Sequence, residues 1–243
     1  MSIINKIYPP EIRNQERLSP VIPLLRFISI PIFFISALFR LHPNFITILS
    51  FVTLILSAFF ASQSDFLISS ILMLLTLSLD CVDGELARYT DKKSILGLKM
   101  ESAHADLTLL IYPSCVSIGL FNSGFISIWI VLLAVISSSV YVNWREILST
   151  SSVDDNPNKL SKVRRIIFSQ QKPNKNIRNS TFLGKLIFVL RMNTVTQASF
   201  PFLFMVIFLL LSPSRAVLPL QILVASQGTI GISLFLSKLI LKK

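Results

Sequence analysis

Charge is scarce in this chain: of 243 residues only 14% are Asp, Glu, Lys or Arg, and only twelve of those are acidic. With 52% hydrophobic residues and a mean hydropathy of +0.69, too little polar surface remains for a water-soluble protein. Cysteine is rarer still. Cys81 and Cys115 both lie in apolar segments and form no CxxC or Cys/His spacing, which argues against a disulfide framework and a zinc site and leaves them as small buried residues. The first nineteen residues carry Lys6, Arg13 and Arg17 but also Pro9 and Pro10, and no small-residue cleavage site follows, so no cleaved signal peptide is expected. The scarcity of acids leaves a net charge of +11. Its Lys and Arg fall mostly between apolar runs, where the positive-inside bias and anionic headgroups account for them, and nucleic acid is not expected as a partner.

What the chain does have is apolar runs of about twenty residues, the length that crosses a hydrocarbon layer. Counting those bounded by polar or turn residues gives six expected spans, at about 44–61, 66–88, 95–121, 124–142, 192–212 and 216–237. The expected fold is an all-α integral membrane protein, a six-transmembrane-helix bundle forming one domain over 1–243, with no room for a second catalytic module. The run at 27–39 is shorter, is bracketed by Arg26 and Arg40 and contains Pro31, so residues 20–40 are expected to form an interfacial helix. Strongly basic connections alternate with links at 62–65, 122–123 and 213–215 that carry only Asp65, no charge and Arg215, and segment 143–191 carries ten Lys/Arg. That pattern predicts a multi-pass protein with both termini in the cytoplasm and 143–191 as a basic cytoplasmic loop, with a short helix around 159–169.

Five of the few carboxylates, Asp80, Asp83, Glu85, Glu101 and Asp106, stand in or beside two of the apolar segments. A desolvated carboxylate is costly unless paired or bound to a cation, and acids at membrane depth are functional by default. With the N-terminus inside, the second and third spans bring their acids to one cytoplasmic end, across a link of about six residues. Asp80 and Asp83 lie within about 60° of one another on a helix and can share a cation. Gly84 lets a bulky ligand such as a nucleotide phosphate approach the backbone, and Arg88 supplies a guanidinium suited to phosphate. A purely structural pair, neutralised by Arg88 or Lys99, would not call for Gly84. Glu85 reads as a helix-end or interface residue.

The stretch DCVDGELAR, then eight residues, then GLKME, resembles the DxxDGxxAR…GxxxDxxxD signature of the CDP-alcohol phosphatidyltransferase family. HPNFITILS at 42–50 is similar to the PNxxT entry to that family's first span, and the resemblance covers residues 20–240. It implies displacement of CMP from a CDP-linked lipid or CDP-alcohol donor by an alcohol acceptor, with Mg2+ or Mn2+ held by the aspartates, membrane lipids as surroundings and a homodimer as assembly. Residue by residue, it implies metal binding by Asp80, Asp83 and Glu101, the last in place of the third aspartate. It implies contact with the CDP moiety by Gly84, Arg88 and Ser94, with Asn44 and Thr47 completing that pocket.

At the fourth acidic position stands Ala105, where the family implies a metal-binding aspartate that deprotonates the acceptor. Two neighbours are candidates for that catalytic role. His104 lies about 60° from Glu101 around a helix and Asp106 about 140°, which favours His104. An acid and a histidine three apart can share a metal, and a histidine can act as base. The plain alternative for His104 is a hydrogen bond to a neighbouring helix. Arg145 and Arg191 are candidates for an acceptor phosphate or simple topology anchors, and Trp129 and Trp144 read as interface aromatics. Two rival readings stay open: a catalytically weakened or repurposed homologue that binds CDP-lipid, and a transporter of divalent cations or small solutes.

Overall fold

The computed structural model describes Ile7 and residues 21–92, 95–150 and 200–241. Among these the chain is helical and contains no strand. The elements are α1 (Val21–Leu38), α2 (Pro43–Ser62), α3 (Phe66–Thr90), α4 (Ile95–Asn122), α5 (Ile128–Thr150), α6 (Phe200–Leu211), a 3-10 turn at Pro213–Ala216 and α7 (Val217–Leu241). Three helical segments, Pro43–Ser62, Phe66–Thr90 and Lys99–Asn122, are long and apolar enough to cross a membrane. Leu25–Leu38, Ile128–Asn143 and Pro201–Leu211 are shorter apolar helices. The expected span at 192–212 is seen from residue 200 onward. Residues 192–199, Ser94, Arg191 and the helix expected around 159–169 lie outside the described residues.

The helices begin and end for local reasons. Pro43 takes the first position of α2, where a missing N–H costs nothing, and the Nδ1 of His42 accepts from the Asn44 N–H at 3.3 Å. At the other end of α4, the Gly124 N–H reaches the Phe121 carbonyl and the Phe125 N–H reaches the Leu120 carbonyl, both at 2.9 Å. This double closure needs a left-handed residue, and Gly124 has φ +77°. The next helix therefore starts at Ile128, later than the apolar run beginning at 124 suggests. Arg40 and Ser64 close α1 and α2 in the same way with side chains at positive φ.

Helix α2 packs against both α3 and α4, α1 lies on α3, α5 joins α4 to α7, and α6 bridges α3 and α7. The main core, with Met73, Tyr112, Phe202 and Leu220, runs through α3, α4, α6 and α7. A smaller cluster of Ile7, Phe33, Ile46, Leu79, Val82 and Leu86 fills the space between α1, α2 and α3. Helix α1 runs unbroken through Pro31 and is apolar on two faces: Leu25 and Phe33 are buried, while Phe27, Phe34 and Leu38 are exposed.

A seam of hydroxyls ties α2, α3 and α4 together. Thr76 donates to Thr53 at 2.9 Å, Ser57 to the Ser69 carbonyl at 2.8 Å, and Ser64 to the Gly119 carbonyl at 3.0 Å. In lipid, where burying apolar surface gives helices no reason to associate, small residues and such cross-helix bonds hold them. Gly119 shows how close the approach is: a Cβ there would lie 1.9 Å from the carbonyl oxygen of Ala61.

Candidate functional site

Asp80, Asp83, Gly84, Glu85 and Arg88 occupy the last turns of α3, which ends with Asp91 in the left-handed conformation. Glu101 and His104 of α4 stand beside them. Asp83 is buried, and its Oδ2 accepts from the Thr47 hydroxyl of α2 at 2.7 Å. Thr47 thus fixes one carboxylate oxygen. Asp80, Asp83 and Glu101 stand near enough to act on one another electrostatically, and Arg88 acts on Glu101 in the same way. Three acids share one region with a guanidinium at its edge.

Arg88 folds back along its own helix. Its Nη1 lies 3.2 Å from the point a Cβ at residue 84 would occupy, so the space left by Gly84 is bordered by the guanidinium. Its Nε donates to the Ile7 carbonyl at 2.7 Å. Asn44, at the start of α2, is partly exposed, and its backbone N–H serves the helix cap.

His104 is fully buried. Its Nε2 is 2.8 Å from the Ser50 hydroxyl and its Nδ1 is 3.1 Å from Asp80 Oδ1, a contact short of an in-line hydrogen bond. The ring also stands edge-on to Phe51, at 5.0 Å between centroids. Both nitrogens thus face protein groups. With Nδ1 protonated, the imidazole donates toward Asp80 and accepts from Ser50, which orients the carboxylate from behind.

Glu85, on a different side of α3, is completely buried and forms an ion pair with Arg26 of α1. It is an interface residue, as its position suggests. Sequence reasoning had no partner for it, and it missed Ser50 and Ile7 altogether. The spacing of Thr47, Ser50, Thr53 and Ser57 along one face of α2 was the available signal for Ser50.

The chain matches the family model described as CDP-alcohol phosphatidyltransferase over residues 40–225. It belongs to this family. Comparisons with curated proteins and with solved structures give no match. Members of the family are typically CDP-alcohol phosphotransferases of phospholipid biosynthesis, and they generally use divalent metals. Together with the three long apolar helices, membership makes this a membrane protein.

Among the described residues no group of three His, Cys, Asp or Glu side chains is arranged to hold a metal ion. Thr47 donates to one oxygen of Asp83, and His104 lies against one oxygen of Asp80. The donor set still fits a hard divalent cation that keeps several waters and binds through one or two carboxylates plus substrate phosphates, rather than in an all-protein cage.

Proposed function

We propose that this protein transfers a phosphatidyl or phospho-alcohol group from a CDP-linked donor to an alcohol acceptor, releasing CMP. The observation that carries the reading is the arrangement at the end of α3. Asp83 is fixed by Thr47, and beside it Arg88 lies over the side-chain-free position of Gly84. This is a surface for a nucleotide diphosphate: open backbone, a guanidinium for phosphate oxygens and acids for a cation. Asn44 and Ser94 belong to the same proposed nucleotide pocket.

Asp80, Asp83 and Glu101 are the proposed residues for Mg2+ or Mn2+, which when bound neutralises diphosphate charge and favours departure of CMP. The protein groups do the rest. Arg88 holds a phosphate oxygen, Thr47 keeps Asp83 turned toward the diphosphate, and His104 with Ser50 behind it holds Asp80. The acceptor hydroxyl attacks the phosphorus bearing the transferred group, the bond from that phosphorus to the CMP oxygen breaks, and the hydroxyl proton passes to a carboxylate. Glu101, the exposed acid of the three, is suited to receive it. His104, whose Nε2 meets Ser50 and whose Nδ1 faces Asp80, serves as a positioning residue in this scheme, which assigns no step to Asp106. The site and both termini are assigned to the cytoplasmic side by the basic segments, and the charge of +11 draws anionic substrates there.

Ala105 favours one second reading, a weakened homologue that binds CDP-lipid without turning it over. The deciding experiment supplies purified, reconstituted protein with CDP-diacylglycerol or CDP-choline and a panel of acceptors, with magnesium or manganese. CMP release that stops on chelation and is abolished in Asp83→Asn supports transfer. Binding of CDP-diacylglycerol with no CMP release from any acceptor establishes the weakened homologue, and cation flux into liposomes without nucleotide affinity establishes a transporter. Chemical cross-linking in the membrane tests the homodimer.

A further inference from the structure

The end of α3 that carries Gly84 and Arg88 is held at two points by chain that precedes the first long apolar helix. Arg26 of α1 pairs with the completely buried Glu85. Three residues on, Arg88 Nε donates to the Ile7 carbonyl at 2.7 Å. Ile7 is itself buried, in the cluster that holds Phe33 of α1 and Leu86 of α3.

A buried ion pair is a poor source of net stability, because removing two charges from water offsets most of their attraction. What a guanidinium fork does supply is a fixed mutual orientation of the two elements it joins. The Arg26–Glu85 pair sets how α1 seats on α3, and that seat includes the cluster in which Ile7 is packed. At Arg88 the effect is direct. With Nε committed to a backbone carbonyl, the guanidinium plane is fixed, and Nη1 comes to 3.2 Å from the missing Cβ of Gly84.

The geometry points to a positioning clamp. The Arg26–Glu85 pair and the Ile7 carbonyl together hold Arg88 over Gly84 and so set affinity for the donor's diphosphate, although neither lies in the acidic cluster. The inference rests on reading Arg88 as the phosphate-holding residue.

Two variants release the clamp separately: Arg26→Gln with Glu85→Gln, which removes both charges and leaves no buried ion unpaired, and Ile7→Ala, which removes the anchor of the carbonyl. Steady-state kinetics in reconstituted protein should show donor KM rising about five- to tenfold in each, with kcat and acceptor KM within about twofold of the native protein. Combining them should raise donor KM no further than the larger single effect, because both free the same guanidinium. Arg26→Lys, which keeps the charge, should shift donor KM less than the glutamine pair. A native donor KM in both variants, or an equal rise in acceptor KM, overturns the clamp, and Ile7→Ala carries the test should the glutamine pair fail to fold. A second readout needs no activity. Spin labels at Phe27→Cys and Tyr89→Cys, with Cys81 and Cys115 changed to alanine, report the seat of α1 on α3. The native distance distribution should be narrow and that of the glutamine pair broader, and an unchanged distribution overturns the clamp. If the native protein releases no CMP, the transfer reading fails and this distance alone decides.

Discussion

Gly84 and Arg88 form a pair in which one residue's missing side chain makes room for the other's charge. A methyl group at 84 would meet the flexible end of Arg88 rather than backbone, so the guanidinium can move aside. Alanine is also about 1 kcal/mol better than glycine inside a helix. Gly84→Ala should therefore melt at or slightly above the native temperature while its donor KM rises several-fold. A fall in melting temperature with native KM would contradict that separation. His104→Ala should behave differently, because it strips Asp80 and Ser50 of a shared neighbour in a fully buried position. Its kcat should drop by about 10- to 100-fold, and stability by about 1–3 kcal/mol. Equilibrium unfolding in mixed micelles alongside CMP-release assays separates the two. That Asp83, Gly84 and Arg88 would stand together was legible from spacing alone, because positions within two helical turns stay together however the helices pack. The surroundings of His104 were not. Its contacts are with residues 24 and 54 positions away, and no local pattern encodes which of its neighbours a buried imidazole will meet.

Helix pairing in this bundle depends on small groups and hydroxyls more than on bulk. The closest approach described is Gly119 against the Ala61 backbone, where even one added carbon has nowhere to go. Gly119→Ala should force α2 and α4 apart and cost about 1–3 kcal/mol, the usual penalty of overpacking. Gly124→Ala meets open space but must keep φ at +77°, which costs about 1–2 kcal/mol. Comparing the two variants by unfolding, with α2–α4 cross-linking as a second measure, distinguishes separation of helices from local strain: only Gly119→Ala should lower cross-linking. The long helices were readable because twenty apolar residues in a row have few other uses. Their ends were less so, since Arg40 and Ser64 close helices in a conformation usually left to glycine. The helix expected over 20–40 runs from Val21 to Leu38, with Pro23 in its first turn, where a missing N–H costs little.

Across the whole molecule, Asp80 and Asp83, two of the three seam bonds and the clamp meet on α3, the helix that touches α1, α2 and α6. The assignment of its charged end to the cytoplasm predicts that Lys92→Cys, exposed in the link after α3, reacts with an impermeant maleimide in inside-out vesicles and stays protected in right-side-out ones. The opposite labelling pattern would reverse the orientation. Hydropathy and the DCVDGELAR stretch were sufficient for a helical membrane protein and its family, because lipid and phosphate each impose local demands that a single segment must meet. The Arg26–Glu85 pair, the Ile7 contact to Arg88 and the burial of His104 between Asp80 and Ser50 came from packing. Each joins residues from different helices or distant chain, and a contact of that kind exists only once the register and crossing of the helices have been set.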